Sequence, residues 1–529
     1  FAILQSLFPG ARLSPEQDFF TDLGGHSLLA ARLVSRLRQD ERYRLIGVQQ
    51  IYAARRLDEI ARAMSRLEAA SAAPNNEAPT PPAQPPPKRW PCGLAQAVVL
   101  PFFLLLRIAD WLGPFFVYQY CTGGEDDSVV LAVLYALAVF LIIRVWLFGV
   151  AIAGKRLVGQ LKPGRYPLWG WVYFRWWLST RLDELPDTYA LAGTPWLNWY
   201  LRGLGARIGR EVLVEATDFS VPELITIEDG AVVGNQVDLA NARVAAGQLI
   251  IGTIHLGAES VVDSYAVLEE NTELGAGARL GGLSALSSGQ KIPPGEHWQG
   301  APARPITEPQ ETLPPRPKVS LAKRTWLAAG HGLATIGVAL LFFLPVFPAF
   351  LLIDWVDART VDVFETDPSA ALAWGYFFLL AIPASALFLA LTMLLTFALR
   401  RLLAAPATGR ISLYAGAYWR KRTMSLVLDT SLHELHGLFA SVYAPLWLRW
   451  LGAKVGRRAE ISTAAGMAPE LIQIGEESFI ADGVMLGDNE VRQGWMILRT
   501  SSIGKRSFLG NGAYLPDGTH VPDDVLVGV

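Results

Sequence analysis

The feature that most constrains the fold of this chain is a repeat of six residues. From Leu256 the sequence divides without a gap into LGAESV, VDSYAV, LEENTE, LGAGAR and LGGLSA. Each group begins with an apolar residue, and Ala, Ser or Thr stands four places later. A triangular coil of parallel strands needs this pattern, because one bulky side chain fills each interior row and small side chains fit near the corners. The repeat therefore predicts stacked β-coils in this part of the chain.

A second series of six-residue groups follows near the end of the sequence: IGEESF and IADGVM, then IGKRSF, LGNGAY, LPDGTH and VPDDVL. Both series resemble the hexapeptide repeat of the left-handed parallel β-helix. KIPPGEHWQGAPAR, residues 291–304, is similar to the closing segment of such domains. The resemblance implies two left-handed parallel β-helix domains, a fold that very often belongs to acyltransferases.

The two series belong to a larger duplicated unit. GRYPLWGWVYFRWW from Gly164 matches GRISLYAGAYWRKR from Gly409, LRGLGARIGR from Leu201 matches LRWLGAKVGR from Leu448, and PELI from Pro222 recurs from Pro469. Chance matches would not keep this order and near-constant offset. Each unit is predicted to contain a membrane hairpin, Trp- and Tyr-rich helices lying on the bilayer surface, and a repeat domain.

Membrane segments are predicted from four long apolar runs, at residues 93–118, 129–153, 326–355 and 371–398. Hydrophobic residues make up 51% of the chain and charged residues only 18%. Each run can cross about 30 Å of hydrocarbon. Because the connecting loops are acidic and the outer flanks are basic, both ends of each hairpin are predicted to face the cytoplasm.

Three charged residues fall inside the first two runs: Arg107, Asp110 and Arg144. Such charges are expensive in hydrocarbon and mark candidate functional positions. Arg107 and Asp110 are one helical turn apart, so we expect them to satisfy each other.

The N-terminal segment FFTDLGGHSLLAARLVSRL centres on Ser27. Two glycines mark a turn, and apolar residues at helical spacing follow, so Ser27 is placed where a helix starts. A helix N-terminus favours an incoming phosphate, although a simple N-cap is the structural alternative. The string D-x-F-F-x-D-L-G-G-H-S-L closely resembles the attachment motif of nonribosomal peptide synthetase carrier domains. The resemblance implies 4'-phosphopantetheine bound covalently to Ser27 by a phosphopantetheinyl transferase.

The sequence thus predicts a multidomain protein, with an α-helical carrier domain, transmembrane helix hairpins and two left-handed β-helices. The predicted bounds are the carrier at 1–66, a Pro-rich linker at 67–92, hairpin 1 at 93–154, interfacial helices and β-helix 1 at 155–310, hairpin 2 at 325–400, and interfacial helices and β-helix 2 at 401–529. The sequence stops in mid-pattern, so we expect a piece of a longer chain, cut before a third unit.

Carrier, hairpins and tandem repeat domains together resemble the C-terminal region of peptide synthetases of the ε-poly-lysine synthetase type. The resemblance implies a bacterial inner-membrane enzyme that joins carrier-bound aminoacyl groups by amide bonds, with carrier and repeat domains in the cytoplasm. It further implies an upstream adenylation domain, which uses ATP and Mg, and pseudo-trimeric packing of β-helices within one chain. A carrier-fed O-acyltransferase acting on an envelope glycan or lipid is the alternative, and a non-catalytic docking scaffold is a third.

Aminolysis of a thioester needs a base that works near neutral pH, and in the acyltransferases that the chain resembles this base is a histidine. Of seven histidines, His255 and the pair His433 and His436 are the candidates. His255 stands between two residues that should point into the coil, so its side chain should face outward, where a groove would lie. A surface or hydrogen-bonded structural histidine is the alternative for each.

The sequence supports neither nucleic-acid binding nor a cysteine-based disulfide framework or metal site. The formal net charge of −2 gives no argument for nucleic-acid binding. Cys92 and Cys121 lie far apart and make neither a disulfide framework nor a metal site.

Overall fold

A computed structural model describes residues 2–11, 13–40, 43, 46–72, 89–122, 124, 127–307, 312–360, 371–403, 405 and 407–528. The chain divides into two compact units, Phe1–Pro85 and Pro86–Val529.

The first unit is a small helical bundle. Its helices are α1 (Ala2–Leu7), α2 (Ser27–Leu37), α3 (Val48–Ala54) and α4 (Leu57–Ala72). The core contains Phe19, Leu33 and Ile51, all essentially inaccessible to solvent. Helix α4 continues six residues past the predicted carrier boundary at residue 66. Most of the predicted linker, residues 73–88, lies outside the described residues.

The second unit combines long apolar helices with shorter helices. They are α5 (Arg89–Tyr120), α6 (Val129–Val158), α7 (Trp171–Asp183), α8 (Pro195–Gly203), α9 (Leu321–Phe343), α10 (Val346–Asp357), α11 (Ala371–Leu402), α12 (Gly416–Glu434) and α13 (Ala444–Leu451). Within the described residues, α5, α6, the α9–α10 pair and α11 form four helical segments long and apolar enough to cross a membrane. The acidic loops predicted between them lie largely outside the described residues.

The predicted partner of Asp110 is corrected by the structure. Asp110 does not pair with Arg107 on its own helix but with Arg144 on α6, whose Nε lies 3.8 Å from Asp110 Oδ2. Arg144 also reaches Asp187, at 3.4 Å between Nη1 and Oδ2. The cation that pairs with Asp110 therefore belongs to the neighbouring helix, and this ion pair joins the two helices of the hairpin.

The first repeat domain, residues 207–305, is a parallel coil with three faces. Its strands are β2 (Arg207–Ile208), β3 (Leu213–Val214), β4 (Ile225–Ile227), β5 (Val232–Val233), β6 (Asp238–Ala240), β7 (Ala242–Ala245), β8 (Gln248–Ile251), β9 (Ile254–Leu256), β10 (Val261–Val262), β11 (Val267–Glu269), β12 (Thr272–Leu274), β13 (Arg279–Leu280), β14 (Ala285–Leu286), β15 (Lys291–Ile292), β16 (His297–Gln299) and β17 (Arg304–Pro305). The main sheets run β2-β4-β9-β12-β15, β3-β5-β10-β13-β16 and β6-β11-β14, so the chain visits three faces in turn.

Burial in this domain follows the six-residue register of the sequence. Residues at the first position of each group are buried, namely Leu256, Val262, Leu268, Leu274 and Leu280. The small residues four places later are also at most 2% exposed. The interior rows and the corners therefore lie where the repeat predicts them. A hairpin of β7 and β8 leaves the coil and pairs antiparallel with β1 (Gly164–Pro167).

The second repeat domain, residues 454–527, repeats this plan. Its strands are β19 (Lys454–Val455), β20 (Glu460–Ile461), β21 (Ala464–Ala465), β22 (Ile472–Ile474), β23 (Phe479–Ile480), β24 (Val484–Asp488), β25 (Val491–Arg492), β26 (Trp495–Leu498), β27 (Ser501–Ile503), β28 (Phe508–Leu509), β29 (Tyr514–Pro516), β30 (His520–Val521) and β31 (Leu526–Val527). Three parallel sheets again form the faces, and β25 and β26 pair with β18 (Gly409–Ser412) as β7 and β8 pair with β1. The duplicated segments of the sequence therefore fold alike.

The two repeat domains pack against each other. Leu213, Val232 and Val261 form one row on an outer face of the first domain, and all three are buried. They share an apolar cluster with residues of α12 and the second domain: Tyr418, Ala468, Leu471, Val491, Met496 and Leu498. An ion pair joins the domains beside this cluster, with Arg279 Nη1 3.1 Å from Glu490 Oε1.

Candidate functional site

The carrier motif folds so that residue 27 opens a helix. Gly25 packs against the buried ring of Phe19, where a Cβ atom would lie 2.4 Å from the Phe19 carbonyl oxygen. His26 is extended and precedes α2, whose first residue is Ser27. His26 and Leu28 are exposed on either side. The start of an 11-residue helix, with exposed residues on either side of it, fits attachment of a phosphate-linked arm.

A polar pocket lies where the two repeat domains meet α12. The first half of the duplicated unit supplies Tyr189, Ala192, Glu215 and Asn235. The second half supplies the rest of the lining: Lys421, Arg422, Ser425, Asp429, Gly466, Met467, Asp488, Asn489 and Met496. We call this site the interdomain pocket. Three carboxylates face two cations there, although the surrounding interface is apolar.

Comparison of the two halves shows that the pocket's two cations are peculiar to the second. In the matched segments, Lys421 and Arg422 take the positions of Trp176 and Trp177. Trp176 packs on the apolar cluster around Leu249. The same fold is therefore built with indole rings at these positions in one half and with charges in the other, so the charges are not required by the helix itself.

Asp488 differs from its counterpart in the same way. The offset of 247 residues that relates PELI at 222 and 469 places Asn241 opposite Asp488. Asn241 is fully buried and makes two hydrogen bonds to the backbone of Val221, at 3.0 and 2.8 Å. Asp488 instead faces the interdomain pocket and accepts a hydrogen bond from the Tyr514 hydroxyl at 2.9 Å. The second half thus has an acid where the first has a structural amide.

Burial shifts the pKa values of three ionisable groups of the pocket, Asp429, Asp488 and Lys421, toward neutrality. It raises the pKa of Asp429 to about 6, against the opposing effect of Arg422. It raises the pKa of Asp488 likewise to about 6, while hydrogen bonds from Ser264 and Tyr514 lower it. Burial lowers the pKa of Lys421, and the nearby Glu215 carboxylate raises it. Carboxyl groups that titrate near 6 can accept and return protons at physiological pH.

The backbone of the 192–193 turn fixes one wall of the pocket. Arg422 donates from Nε to the carbonyl oxygen of Ala192 at 2.6 Å, and the Tyr418 hydroxyl donates to that of Gly193 at 3.0 Å. Gly193 has a φ of +67°, and a Cβ there would lie 3.2 Å from Arg422 Nε. The turn therefore holds the guanidinium in place, and its left-handed backbone at residue 193 favours glycine.

The three histidines proposed from sequence lie elsewhere. His255 is on β9, 38% exposed, with Nε2 3.1 Å from Glu228 Oε1 and Nδ1 3.9 Å from Glu273 Oε1. Its sheet contributes none of the pocket's lining. His433 lies in the last turn of α12 and His436 opens the turn that follows, and both are exposed. Each remains a prediction as a catalytic base, and the structure does not bring them together.

Sequence reasoning missed Lys421, Asp429 and Asp488. A signal was present, because the aligned segments read FRWW in one half and WRKR in the other. That contrast indicates a different environment but does not identify the acidic residues that lie beside Lys421 and Arg422. Those residues can be identified only from the packing of the two domains.

Comparison with known proteins agrees with the carrier assignment. Residues 4–63 match the family described as "Phosphopantetheine attachment site". Over 542 residues the chain is 45% identical to the delta-poly-L-ornithine synthetase of Acinetobacter baumannii strain AB307-0294, a match that covers 100% of this chain and 40% of that protein. The predicted resemblance to a poly-amino-acid synthetase with a carrier domain is confirmed. The chain spans less than half the length of this relative.

Solved structures of acetyltransferases also match. Serine acetyltransferase from Neisseria gonorrhoeae is 18% identical, with 42% of this chain and 91% of that chain covered and a TM-score of 0.18. Maltose O-acetyltransferase from Clostridium difficile 630 is 14% identical, with 32% and 89% covered and a TM-score of 0.19. At these TM-scores the likeness does not decide the fold.

Proposed function

We propose that this chain is the membrane-bound carrier and condensing part of a poly-amino-acid synthetase, and that amide bonds form in the interdomain pocket. The observation that carries the proposal is the pairing of two features in one chain. One is a phosphopantetheine attachment domain, and the other is a pocket with carboxyl groups titrating near neutral pH beside two cations.

The chemistry needs a proton acceptor and a counter-charge for the carbonyl oxygen. When bound at Ser27, the phosphopantetheine arm supplies a thiol that carries an aminoacyl group as a thioester. Asp429 and Asp488 are suited to accept the proton of an attacking amine, since each can be ionised at pH 7. Lys421 and Arg422 can stabilise negative charge on the carbonyl oxygen.

The acceptor that best suits the pocket is a basic amino acid. Glu215, Asp429 and Asp488 give the lining more acids than cations, which favours a ligand with an ammonium group. The relative's name, delta-poly-L-ornithine synthetase, points the same way. We therefore infer a diamino acid as monomer, activated by an upstream adenylation domain with ATP and Mg.

The coil domains are proposed to be left-handed parallel β-helices that pack as a pseudo-trimer. The buried row Leu213, Val232 and Val261 of the first domain corresponds to Glu460, Phe479 and Phe508 in the second. Phe479 and Phe508 are stacked and more than a third exposed. This open face can bind another repeat unit as the first domain binds the second. Cross-linking from position 508 that captures no repeat unit in the full-length protein would contradict the proposal.

We propose an inner-membrane location with carrier and repeat domains in the cytoplasm. The four apolar segments supply the spans, and the exposed indoles of Trp171, Trp199 and Trp450 suit the bilayer surface.

The test of this function uses amide formation by the purified chain. The carrier is charged by a phosphopantetheinyl transferase with an aminoacyl-CoA, so that no adenylation domain is needed, and ornithine is supplied as acceptor. Asp488→Asn should leave carrier charging intact and slow amide formation by about 10²-fold or more, the usual scale for a lost general base. Ser27→Ala should gain no pantetheine mass.

The matched control is Lys454→Met, an exposed strand position, set against Lys421→Met in the pocket. Only the pocket variant should lose activity. Wild-type rates of amide formation in both pocket variants would mean that the pocket takes no part in the reaction. An ester formed on a glycan or lipid hydroxyl, with no amide product, would support the O-acyltransferase alternative instead.

A further inference from the structure

Tyr514 links the two repeat domains directly to the interdomain pocket. It lies on β29 and donates its hydroxyl to Asp488 Oδ2 at 2.9 Å. Its ring meets Tyr265 of the first domain edge-on, with centroids 6.0 Å apart and planes at 70°. A Cβ on Gly282 would lie 2.5 Å from Tyr514 Cε1. The first domain therefore leaves room for this ring only because residue 282 is glycine.

Asp488 is held in a distorted strand end. The register of β24 against β29 shifts between Leu486 and Asp488. Gly487 has a φ of +74°, a conformation that glycine adopts readily. The Ser264 side chain of the first domain also lowers the pKa of Asp488. The carboxylate is therefore held by the Tyr514 hydroxyl at a bend in the strand and remains part of the pocket wall.

The hydroxyl–carboxylate pair is absent from the first half of the duplication. The register that pairs Asp238 with Val267 in the first domain pairs Met485 with Tyr514 in the second, so Val267 corresponds to Tyr514. Asn241 corresponds to Asp488. The coil is thus complete with valine and asparagine at these two positions, so building a coil does not explain the tyrosine and the aspartate.

The geometry points to Tyr514 as the positioning residue for Asp488, which it orients and keeps ionised so that the carboxylate can take the proton of the attacking amine. This inference rests on the proposed function. In that step the amine nitrogen forms the C–N bond, the C–S bond of the thioester breaks, the amine proton passes to Asp488, and the sulfur leaves as thiolate and is then protonated. Tyr514 keeps its own proton and contributes only a hydrogen bond.

Other charges face Asp488 from each neighbouring element. Glu215 of the first domain disfavours its ionised form, and Lys421 of α12 favours it. Further ionisable groups line the same pocket: Tyr189, Arg422 and Asp429. Tyr514→Phe removes one hydrogen bond and leaves all of these charges unchanged. Its effect on proton transfer can therefore be assigned to the hydroxyl.

The experiment measures amide formation by the charged full chain between pH 5 and pH 9. In Tyr514→Phe the acidic limb of the pH–rate profile should move to higher pH by about one unit, because a hydrogen bond to the ionised Asp488 carboxylate is lost. The rate should fall about tenfold at pH 5.5 and less than about threefold at pH 8.5. Gly282→Ala, which displaces the ring, should move the limb in the same direction.

Tyr166→Phe is the matched control, since its hydroxyl donates to the carbonyl oxygen of Lys162 and lies outside the pocket lining. It should leave the profile unchanged. A Tyr514→Phe enzyme that is slower at every pH, with its limb in place, would make the tyrosine merely structural. If Asp488→Asn works at the wild-type rate, the pocket's catalytic role is overturned. If Asp488→Asn loses activity but the acidic limb of Tyr514→Phe does not move, only the inference about Tyr514 is overturned.

Discussion

At the scale of single residues, the chain contains two kinds of candidate base, and they predict different behaviour. The carboxyl groups of Asp429 and Asp488 lie inside a crevice and have a raised pKa. His255 lies on an outer sheet and has Glu228 as its partner. Because a base must sit beside the reacting amine, the crevice favours the carboxyl groups, whereas the sequence alone favoured the histidine.

The pH dependence of amide formation follows from the direction of the carboxyl shifts. Burial raises the pKa of both carboxyl groups to about 6, and only the ionised form accepts a proton. Activity should therefore rise as pH increases through about 6 and level off above it. If the pocket supplies the base, His255→Ala should keep this limb and stay within about twofold of wild type. A loss in His255→Ala as deep as that in Asp488→Asn would mean that His255, on the outer sheet, is the base.

These residues could be predicted only in part, for a physical reason. Ser27 stands in a continuous local motif, and the turn and helix around it are set by neighbouring residues. Lys421 and Glu215 are more than 200 positions apart, and their proximity depends on how two domains pack. The pairing of Asp110 with Arg144 rather than Arg107 has the same origin, because an adjacent helix supplied the partner.

At the scale of secondary-structure elements, each long second helix of a hairpin is tied to its repeat domain by one ion pair. Lys155 on α6 lies 3.2 Å from Glu223, and Arg400 on α11 lies 3.1 Å from Glu470. Both glutamates belong to the repeated PELI segment. Because all four side chains are at most 13% exposed, neither member of a pair can be satisfied by water if its partner is removed.

Glu470→Ala should therefore lower the stability of the folded chain by about 3 kcal/mol, the scale for breaking a buried ion pair from one side. The measurement is the thermal unfolding midpoint of the purified chain in detergent. Glu273→Ala is the control, because Glu273 pairs with Lys291 on the surface, where both side chains are at least 40% exposed. An equal decrease of the unfolding midpoint in both variants would mean that burial does not make the Arg400–Glu470 pair more stabilising than a surface pair.

Elements were predicted best where a short period controls burial. The six-residue repeat located interior positions such as Leu268 and Leu509 because every coil must fill the same interior row. Helix ends were less well predicted. Helix α4 extends to Ala72 through alanines that favour helix, and the third apolar run is divided between α9 and α10 beside Pro345.

At the scale of the whole second unit, the long apolar helix α9 adjoins a wall of the interdomain pocket. Gly332 on α9 lies against the indole of Trp196, and Trp196 Nε1 donates to the carbonyl oxygen of Ala328 at 2.8 Å. His331 on the same helix meets Tyr418 with ring centroids 5.8 Å apart. Because Tyr418 also holds the 192–193 turn, α9 and the pocket wall are in continuous contact.

This continuity gives the proposed orientation a direct test. If the repeat domains face the cytoplasm, a cysteine at exposed Ser287 should be shielded from a membrane-impermeant thiol reagent in intact cells, and Asp126→Cys, in the acidic loop of hairpin 1, should react. Cys92 and Cys121 are first replaced by alanine, because Cys121 is partly exposed. Permeabilised cells provide the control, in which position 287 must become reactive. The reverse pattern in intact cells would have position 287 labelled and position 126 shielded. It would place the pocket on the external side of the membrane, away from the cytoplasmic ATP that is used to charge a carrier.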